Sequence, residues 1–339
     1  MTLQRQPLWQ TIKPHLAVFD GTLSLIIFLI VSVGIVTLYS AGMNFPGRVE
    51  DQLRNIFIAF VVMWIAANVS PQTLLRFAVP IYTIGVTLLI AVALFGIVKK
   101  GSRRWLNIGV VVQPSEVMKI AMPLMLAWYF QKRESMIRWH VFVIATLLLA
   151  VPVGLIVRQP DLGTGLLVLA AGFYVIFFAG LSWKVLTGLF IAVAASLPVL
   201  WSLLHDYQRQ RVMMLIDPTS DPLGKGFHII QSTIAIGSGG ITGKGWLMGT
   251  QTHLEFVPER TTDFIFSVYS EEFGLIGNLI LLVLYLLLIG RSMMITANAP
   301  TLFTRLLSGS ITMIFSPMPS STWAWSAVFC LSLAYRCRS

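Results

Sequence analysis

Eight apolar segments, each close to the roughly 20 residues a helix needs to cross a bilayer, recur along this chain with brief polar breaks between most of them. They run near 21–41, 55–70, 77–98, 117–131, 141–157, 165–181, 185–204 and 273–290. The fourth is short and polar at its start. Backbone groups in lipid must be satisfied within their own segment, so each segment reads as a helix. Pro152 and Pro198 fall inside two of them, which membrane helices tolerate where neighbours satisfy the freed carbonyls. Composition closes the alternatives. Of 339 residues, 11% are charged and 56% hydrophobic, with a mean hydropathy of +0.79. A soluble domain carries about 25% charged residues, so this charge cannot coat a water-soluble globule, and disorder needs the opposite balance. The expectation is an all-α polytopic membrane protein, a multi-span helical bundle.

The net charge of +10 does not point to nucleic acid, because the basic residues are scattered between apolar runs and form no stripe. Anionic membrane lipids or a phosphate-bearing substrate account for them better. The two cysteines, Cys330 and Cys337, both lie in the last ten residues, so the first 329 offer neither a disulfide framework nor a thiolate metal site. Arg5 and Lys13 precede an apolar stretch, Leu23 to Leu38, long enough to remain in the bilayer as a signal anchor rather than be cleaved.

Each span crosses once, so the connections after spans three, five and seven share one membrane face. They are the segments 99–116, 158–164 and 205–272. Ten of the 14 acidic residues lie in them or within a turn of a span end: Glu116, Asp161, Asp206, Asp217, Asp221, Glu255, Glu259, Asp263, Glu271 and Glu272. One face therefore carries the chemistry. Arg5, Lys13, Arg76, Lys132, Arg133, Arg138, Lys184 and Arg291 lie on the other. The positive-inside rule discounts long loops, which leans towards a cytoplasmic N-terminus and an external chemical face.

Three patches stand out on that face. The first is GSRRWLNIGVVVQPSEVMKIAMP, 101–123, which sets Arg103, Arg104, Glu116 and Lys119 at a helix entry. Glu116 and Lys119 are three apart and share a helical face. They read either as a structural ion pair at a helix end or as one wall of a polar cavity. The second is RQPDLGTG, 158–165, where Asp161 reads as a helix cap or, with Arg158, as part of a site. The third runs from Asp206 to Gly274, a connection long enough to be functional. Its middle, IIQSTIAIGSGG, is apolar enough to dip into the interface. GSGGITGKG fails as a phosphate-binding P-loop, because Ser238 and Gly245 stand where that pattern needs Gly and Ser or Thr. His228 and His253 lack ligand-like spacing, so no zinc site is expected. In PERTTDFIFSV, Asp263 directly precedes an apolar helix. It reads as a cap, supplied by itself or Thr262, or as a general base at the membrane surface.

The strings RRWLNIG, QPSEVMKIA, RQPDLGTG, YQRQRVMML, DPLGKGFHIIQS, AIGSGGITGKG, GTQTHLEFVPERTTDFIF and EEFGLIG resemble, in order, the SEDS family (shape, elongation, division and sporulation) of bacterial membrane proteins. The resemblance runs from about Asp20 to Phe315. It implies a ten-span peptidoglycan glycosyltransferase of the bacterial cytoplasmic (inner) membrane, with a cytoplasmic N-terminus. Such an enzyme polymerises lipid II, an undecaprenyl-diphosphate-linked disaccharide-pentapeptide, outside that membrane. The role in cell elongation and rod-shape maintenance rests on resemblance alone. So does a partnership with a class B penicillin-binding protein, a transpeptidase, and with other membrane proteins of the elongation complex. The family's essential carboxylate falls on Asp263.

The chemistry suits these residues. A sugar hydroxyl must lose its proton as it attacks an anomeric carbon that carries a lipid diphosphate, and one carboxylate suffices for a direct inverting displacement. The leaving diphosphate needs positive charge, from Arg, Lys or a divalent cation such as Mg or Mn. Arg104, Lys119, Arg158, Arg209, Arg211 and Lys244 lie on the appropriate face, with Arg104, Lys119 and Arg211 foremost. Glu116 and Asp161 read as orienting partners or metal contacts. A lipid II flippase would share the spans and the intramembrane charges. Transporters tend to pair broken helices across a repeat, however, and no internal repeat is visible. A scaffold that only recruits a transpeptidase would leave Asp263 dispensable.

The expected domain covers 1–315, with its large external loop at 205–263. Residues 316–339 depart from the family pattern: Pro317 and Pro319 interrupt what should be mid-helix. Read one nucleotide earlier, the same codons permit FTYAFVNMGMVSGVLPVVGVPLPF, similar to the family's glycine-rich final helix and G-V-P-L-P ending. A shifted reading frame is therefore expected here, with about eight spans and part of a ninth intact, and a chain that is unstable or inactive for want of its last spans.

Overall fold

The structure, a computed structural model, describes residues 19–43, 45–99, 102–107, 111–136, 138–159, 161–203, 209, 213, 217, 219, 225–250, 261–262 and 264–315. Each of the eight expected spans is a helix. In chain order they are α1 (Gly21–Ala41), α2 (Arg48–Ala67), α3 (Pro71–Phe95), α4 (Pro114–Gln131), α5 (Trp139–Arg158), α6 (Leu162–Phe178) and α7 (Trp183–Leu203). After α8 (Lys225–Ser238) come α9 (Ile265–Ala297), the eighth span, and α10 (Leu302–Phe315). Residues 316–339, the suspected out-of-frame tail, lie outside the described residues, as do most of 205–224, all of 251–260 and residue 263.

Local chemistry sets the boundaries. Asp20 accepts the Leu23 amide at 2.9 Å and starts α1. Ser70 accepts the Thr73 amide at 3.2 Å, with Pro71 behind it at the first helical position. The connection between α3 and α4 departs from the all-helical expectation. Strands β1 (Ile97–Lys99), β2 (Ser102–Asn107) and β3 (Val111–Val112) form a small antiparallel sheet in the order β1-β2-β3. Extended strands let this short, partly apolar connection satisfy its own backbone.

The core is built around α4, which packs against α3, α5, α6 and α10. Met118, Met122, Leu126 and Phe130 form a fully buried stripe along it, and Ala121, Leu124 and Ala127 bury its other sides. Helices buried on every side need no polar face. That explains how a span only 18 residues long holds the centre. Opposite, α9 packs against α1, α8 and α10. Helix α7 exposes Leu189, Phe190, Ile191, Val193 and Leu197, the side chains of a lipid-facing periphery.

The ends of the bundle differ. One carries the sheet, the α5–α6 turn, the segment after α8 and the start of α9. At the other, Arg291 of α9 holds Asp20, and Gln131 at the end of α4 accepts the Phe303 amide of α10 at 2.7 Å. This agrees with the alternation of faces read from the sequence.

Candidate functional site

The sheet end gathers polar groups from segments distant in sequence. Asp161 sits at the N-cap of α6, its Oδ1 accepting the Thr164 amide at 3.4 Å. The same oxygen lies 3.5 Å from Arg104 Nη1 on β2, and Gln113 Nε2, just ahead of α4, approaches Oδ2 at 3.3 Å. Asp161 is therefore both things the sequence allowed, a helix cap and a member of a charged cluster. Its side chain is 8% exposed, so its charge is held by these donors more than by water.

One turn into α4, Lys119 Nζ stands 2.6 Å from Glu116 Oε1. The lysine is 7% exposed and the glutamate 52%, so the pair runs from the packed core out to the surface. Lys119 also feels the charge of Asp161. Arg104, Gln113, Glu116, Lys119 and Asp161 thus line one mouth of the bundle. Arg158, at the end of α5 on the same side, is exposed. Arg209 is turned to another task. Its Nε donates to Trp201 O at 3.1 Å and its Nη2 to Ser202 O at 2.7 Å, closing the end of α7.

A second assembly joins the segment after α8 to a break in α9. At Gly274 the backbone leaves the helix, with φ at +64°. A continuous helix would bond the Leu275 amide to Glu271 O and the Ile276 amide to Glu272 O. Instead, Leu275 N donates to Gly240 O at 3.0 Å and Ile276 N to Ile241 O at 3.1 Å. The freed Glu271 and Glu272 carbonyls accept from Lys244 N and Gly245 N, each at 3.0 Å. Two lost helical bonds are replaced by four bonds to the loop. The approach requires glycine on both sides: a Cβ on Gly243 would lie 2.1 Å from Glu272 O, and one on Gly274 would lie 2.3 Å from Gly243 N.

Side chains continue the join. Lys244 Nζ is 2.7 Å from Glu271 Oε1, an oxygen that Thr250 Oγ1 approaches at 3.2 Å and Ser238 Oγ at 3.4 Å. The Glu271 side chain is fully buried, against 26% exposure for Lys244. Its neighbour Glu272, also buried, accepts from Ser40 Oγ of α1 and from the backbone of Leu247. Trp246 lies on Tyr39 with ring centroids 5.9 Å apart and donates to Val36 O at 3.3 Å. Ser232 of α8 and Ser267 of α9 meet at 2.5 Å. Lys244, expected beside a diphosphate, is bonded within this assembly, and Glu271 and Glu272, legible only as two of the acidic residues of the chemical face, join it together with Ser40.

Asp263 and Arg211 lie outside the described residues. The N-cap position of α9 is Phe264, whose side chain makes no cap hydrogen bond, and the capping role considered for Asp263 lies outside the described residues. Among the described residues, no group of three His, Cys, Asp or Glu side chains is placed to hold a metal ion.

Comparison with known proteins gives a consistent result. Residues 20–319 match the FtsW/RodA/SpoVE family of cell cycle proteins. The chain is 47% identical over 304 residues to the peptidoglycan glycosyltransferase MrdB of Escherichia coli K12, covering 89% of this chain and 81% of that one. It is 29% identical over 375 residues to the peptidoglycan glycosyltransferase RodA of Treponema pallidum, covering 88% and 87%. Among solved structures, it resembles a chain from a study of how a peptidoglycan synthase complex coordinates polymerization and crosslinking. That match has a TM-score of 0.75 and 30% identity, covering 94% of this chain and 97% of that one. The Thermus thermophilus rod shape determining protein RodA matches with a TM-score of 0.62 and 26% identity, covering 94% of both chains.

Proposed function

This chain belongs to the FtsW/RodA/SpoVE family of cell cycle proteins, and from that premise we propose that it extends glycan strands from lipid II at the outer face of the cytoplasmic membrane, with Asp263 as general base. It is a multi-pass membrane protein and a peptidoglycan glycosyltransferase of cell elongation, as its relatives are. The observation that supports this reading best is the meeting of Arg104, Glu116, Lys119 and Asp161 at one mouth of an otherwise apolar bundle. Charged groups in a membrane protein are costly and usually line a functional cavity.

The reaction runs as one displacement. Asp263 takes the proton of the acceptor sugar hydroxyl. That oxygen bonds to the anomeric carbon of the second substrate, and the bond from this carbon to the lipid diphosphate breaks. The diphosphate leaves with the electron pair, so the anomeric centre inverts. Arg104 and Lys119 face the developing charge, with Arg158 on the same side, Arg209 at the end of α7 and Arg211 as the further cation of this reading. Cations already fixed in place stabilise a leaving group without reorganising. Asp161 orients Arg104, and Glu116 orients Lys119. A divalent cation, Mg or Mn, is the alternative source of charge, with Glu116 and Asp161 as its contacts. The lipid tails stay in the bilayer throughout. The N-terminus lies in the cytoplasm, and a class B penicillin-binding protein cross-links the product.

The test is polymerisation of lipid II by the purified chain with its transpeptidase partner in detergent. Detergent abolishes the two compartments a flippase needs, so strands formed there require an enzyme. Lipid II that remains monomeric, with a frame-restored chain behaving the same way, would contradict the reading.

A further inference from the structure

Lys244 and Glu271 form the one strongly buried ion pair at the active end, among the described residues, that the proposed chemistry does not use. Glu271 is fully buried, and its Oε1 faces Lys244 Nζ, Thr250 Oγ1 and Ser238 Oγ. Two of the three donors of the Lys244 ammonium are taken, by a buried carboxylate and, at 2.7 Å, by Thr250 Oγ1. The place of this lysine in the chain points to α9. The amide of Lys244 itself bonds the carbonyl of Glu271, so backbone and side chain both grip the same residue of α9.

We propose that the Lys244–Glu271 pair is a positioning device, which fixes the first two turns of α9 against the loop and so sets where the preceding Asp263 meets the acceptor sugar. The first part of α9, from Ile265 to Phe273, is cut off from the rest of its helix by the break at Gly274. Across the break Tyr269 Oη donates to Gly277 O at 2.7 Å and Ser270 Oγ to Asn278 Oδ1 at 3.0 Å, and the loop adds a hold from the side. From the side it is held by Ser232 on Ser267, by the two backbone bonds from Lys244 N and Gly245 N to the Glu271 and Glu272 carbonyls, and by this ion pair. Ser40 on Glu272 and Trp246 on Val36 and Tyr39 tie the same assembly to α1. Asp263 stands two residues ahead of Ile265, so a tilt of that short helix displaces it directly. This inference rests on the assignment of Asp263 as base. It replaces the expectation that Lys244 binds the diphosphate.

The experiment compares Lys244→Met, Glu271→Gln, their double variant and Lys244→Arg in the full chain with its transpeptidase. The readouts are kcat and KM for lipid II and hydrogen–deuterium exchange over residues 265–273. Each single removal is expected to lower kcat by about ten- to a hundredfold, the scale of a misplaced reacting group. KM for lipid II stays within about twofold, since uniform substrate binding is untouched. The double variant is no slower than the slower single one, Lys244→Arg recovers most of the rate, and exchange rises over 265–273. A raised KM in Lys244→Met with Glu271→Gln at the wild-type rate would overturn the proposal in favour of a diphosphate contact. So would unchanged exchange over 265–273 in both single variants, a readout that needs no activity. Asp263→Asn is assayed beside them. Activity surviving there while the pair variants fail would remove the base assignment and leave the pair as a device serving another group.

Discussion

Arg291 holds Asp20 through two nitrogens, Nη2 at 2.5 Å from Oδ2 and Nε at 3.1 Å from Oδ1, across 271 residues of sequence. The fork of a guanidinium matches a carboxylate in this way, and an ammonium does not. The pair joins α1 to α9 at the end away from the sheet, while Ser40 and Glu272 join the same two helices at the other. Asp20 also caps α1. Its two tasks can be separated by substitution. Asp20→Asn keeps a capping oxygen and loses the charge, whereas Asp20→Ala loses both. The alanine variant should be the less stable of the two by about 1 kcal/mol, the usual worth of a cap. Arg291→Lys should fall between wild type and Arg291→Ala. Thermal unfolding of the detergent-solubilised variants checks the order, and equal stabilities for Asp20→Asn and Asp20→Ala would contradict it.

Asp161 allows a similar separation nearer the chemistry. Asparagine caps helices about as well as aspartate, so Asp161→Asn should change stability by less than about 1 kcal/mol. It removes the charge that faces Arg104, and glycan synthesis should fall by about tenfold or more, the scale on which an electrostatic group in an active site matters. Thermal unfolding and lipid II polymerisation, measured on one preparation, check both halves.

The break in α9 predicts a contrast between two glycines. Gly274 has φ at +64°, and an added Cβ would meet the Gly243 amide at 2.3 Å. Gly274→Ala therefore suffers both backbone strain and a clash with main chain, and should cost about 2–4 kcal/mol. Gly237, inside α8, has nothing within 4 Å of an added Cβ. Gly237→Ala should be neutral or should stabilise by up to about 1 kcal/mol. Melting temperatures of the two variants test this directly.

Helix α10 bears on the unusual tail. Up to Phe315, the last described residue, its 14 residues rise about 21 Å of the roughly 30 Å hydrocarbon core. Yet it packs on α4, α6 and α9 and buries Phe303, Leu306, Leu307 and Ile311. A chain whose residues after Phe315 are replaced by the frame-restored segment should unfold at a higher temperature and polymerise lipid II faster. Equal stability and activity in the two chains would contradict the shifted-frame reading.

The spans could be read from the sequence because lipid imposes a length, and eight apolar segments met it. Their grouping into two faces followed from parity. The boundaries moved where charge and apolar residues share a helix. Helix α2 starts at Arg48, ahead of its expected start near 55, because Glu50, Asp51 and Arg54 ride on a helix whose apolar part begins later. Helix α9 starts at Ile265, ahead of the expected 273, because a short helical segment carrying Glu271 and Glu272 precedes the break at Gly274, beyond which the long apolar span runs. Helix α4 was hard to bound because its burial comes from other helices. The Glu116–Lys119 pair was legible through helical spacing. Its company with Asp161 and Arg104 was not, since those contacts depend on the fold of the sheet. The join between the loop and α9 was the least legible, because backbone atoms make it and glycines permit it. Side-chain pattern carries neither.

The most direct test of the central claim is lipid II polymerisation by wild type, Asp263→Asn and Asp263→Glu, each with the transpeptidase partner and each checked for an unchanged melting temperature. Asparagine cannot accept a proton at this position, so its rate should fall by about a hundredfold or more, the usual range for losing a general base. Glutamate keeps the carboxylate at the wrong reach and should retain a measurable fraction of activity. Strands made by Asp263→Asn at the wild-type rate would show that the base lies elsewhere.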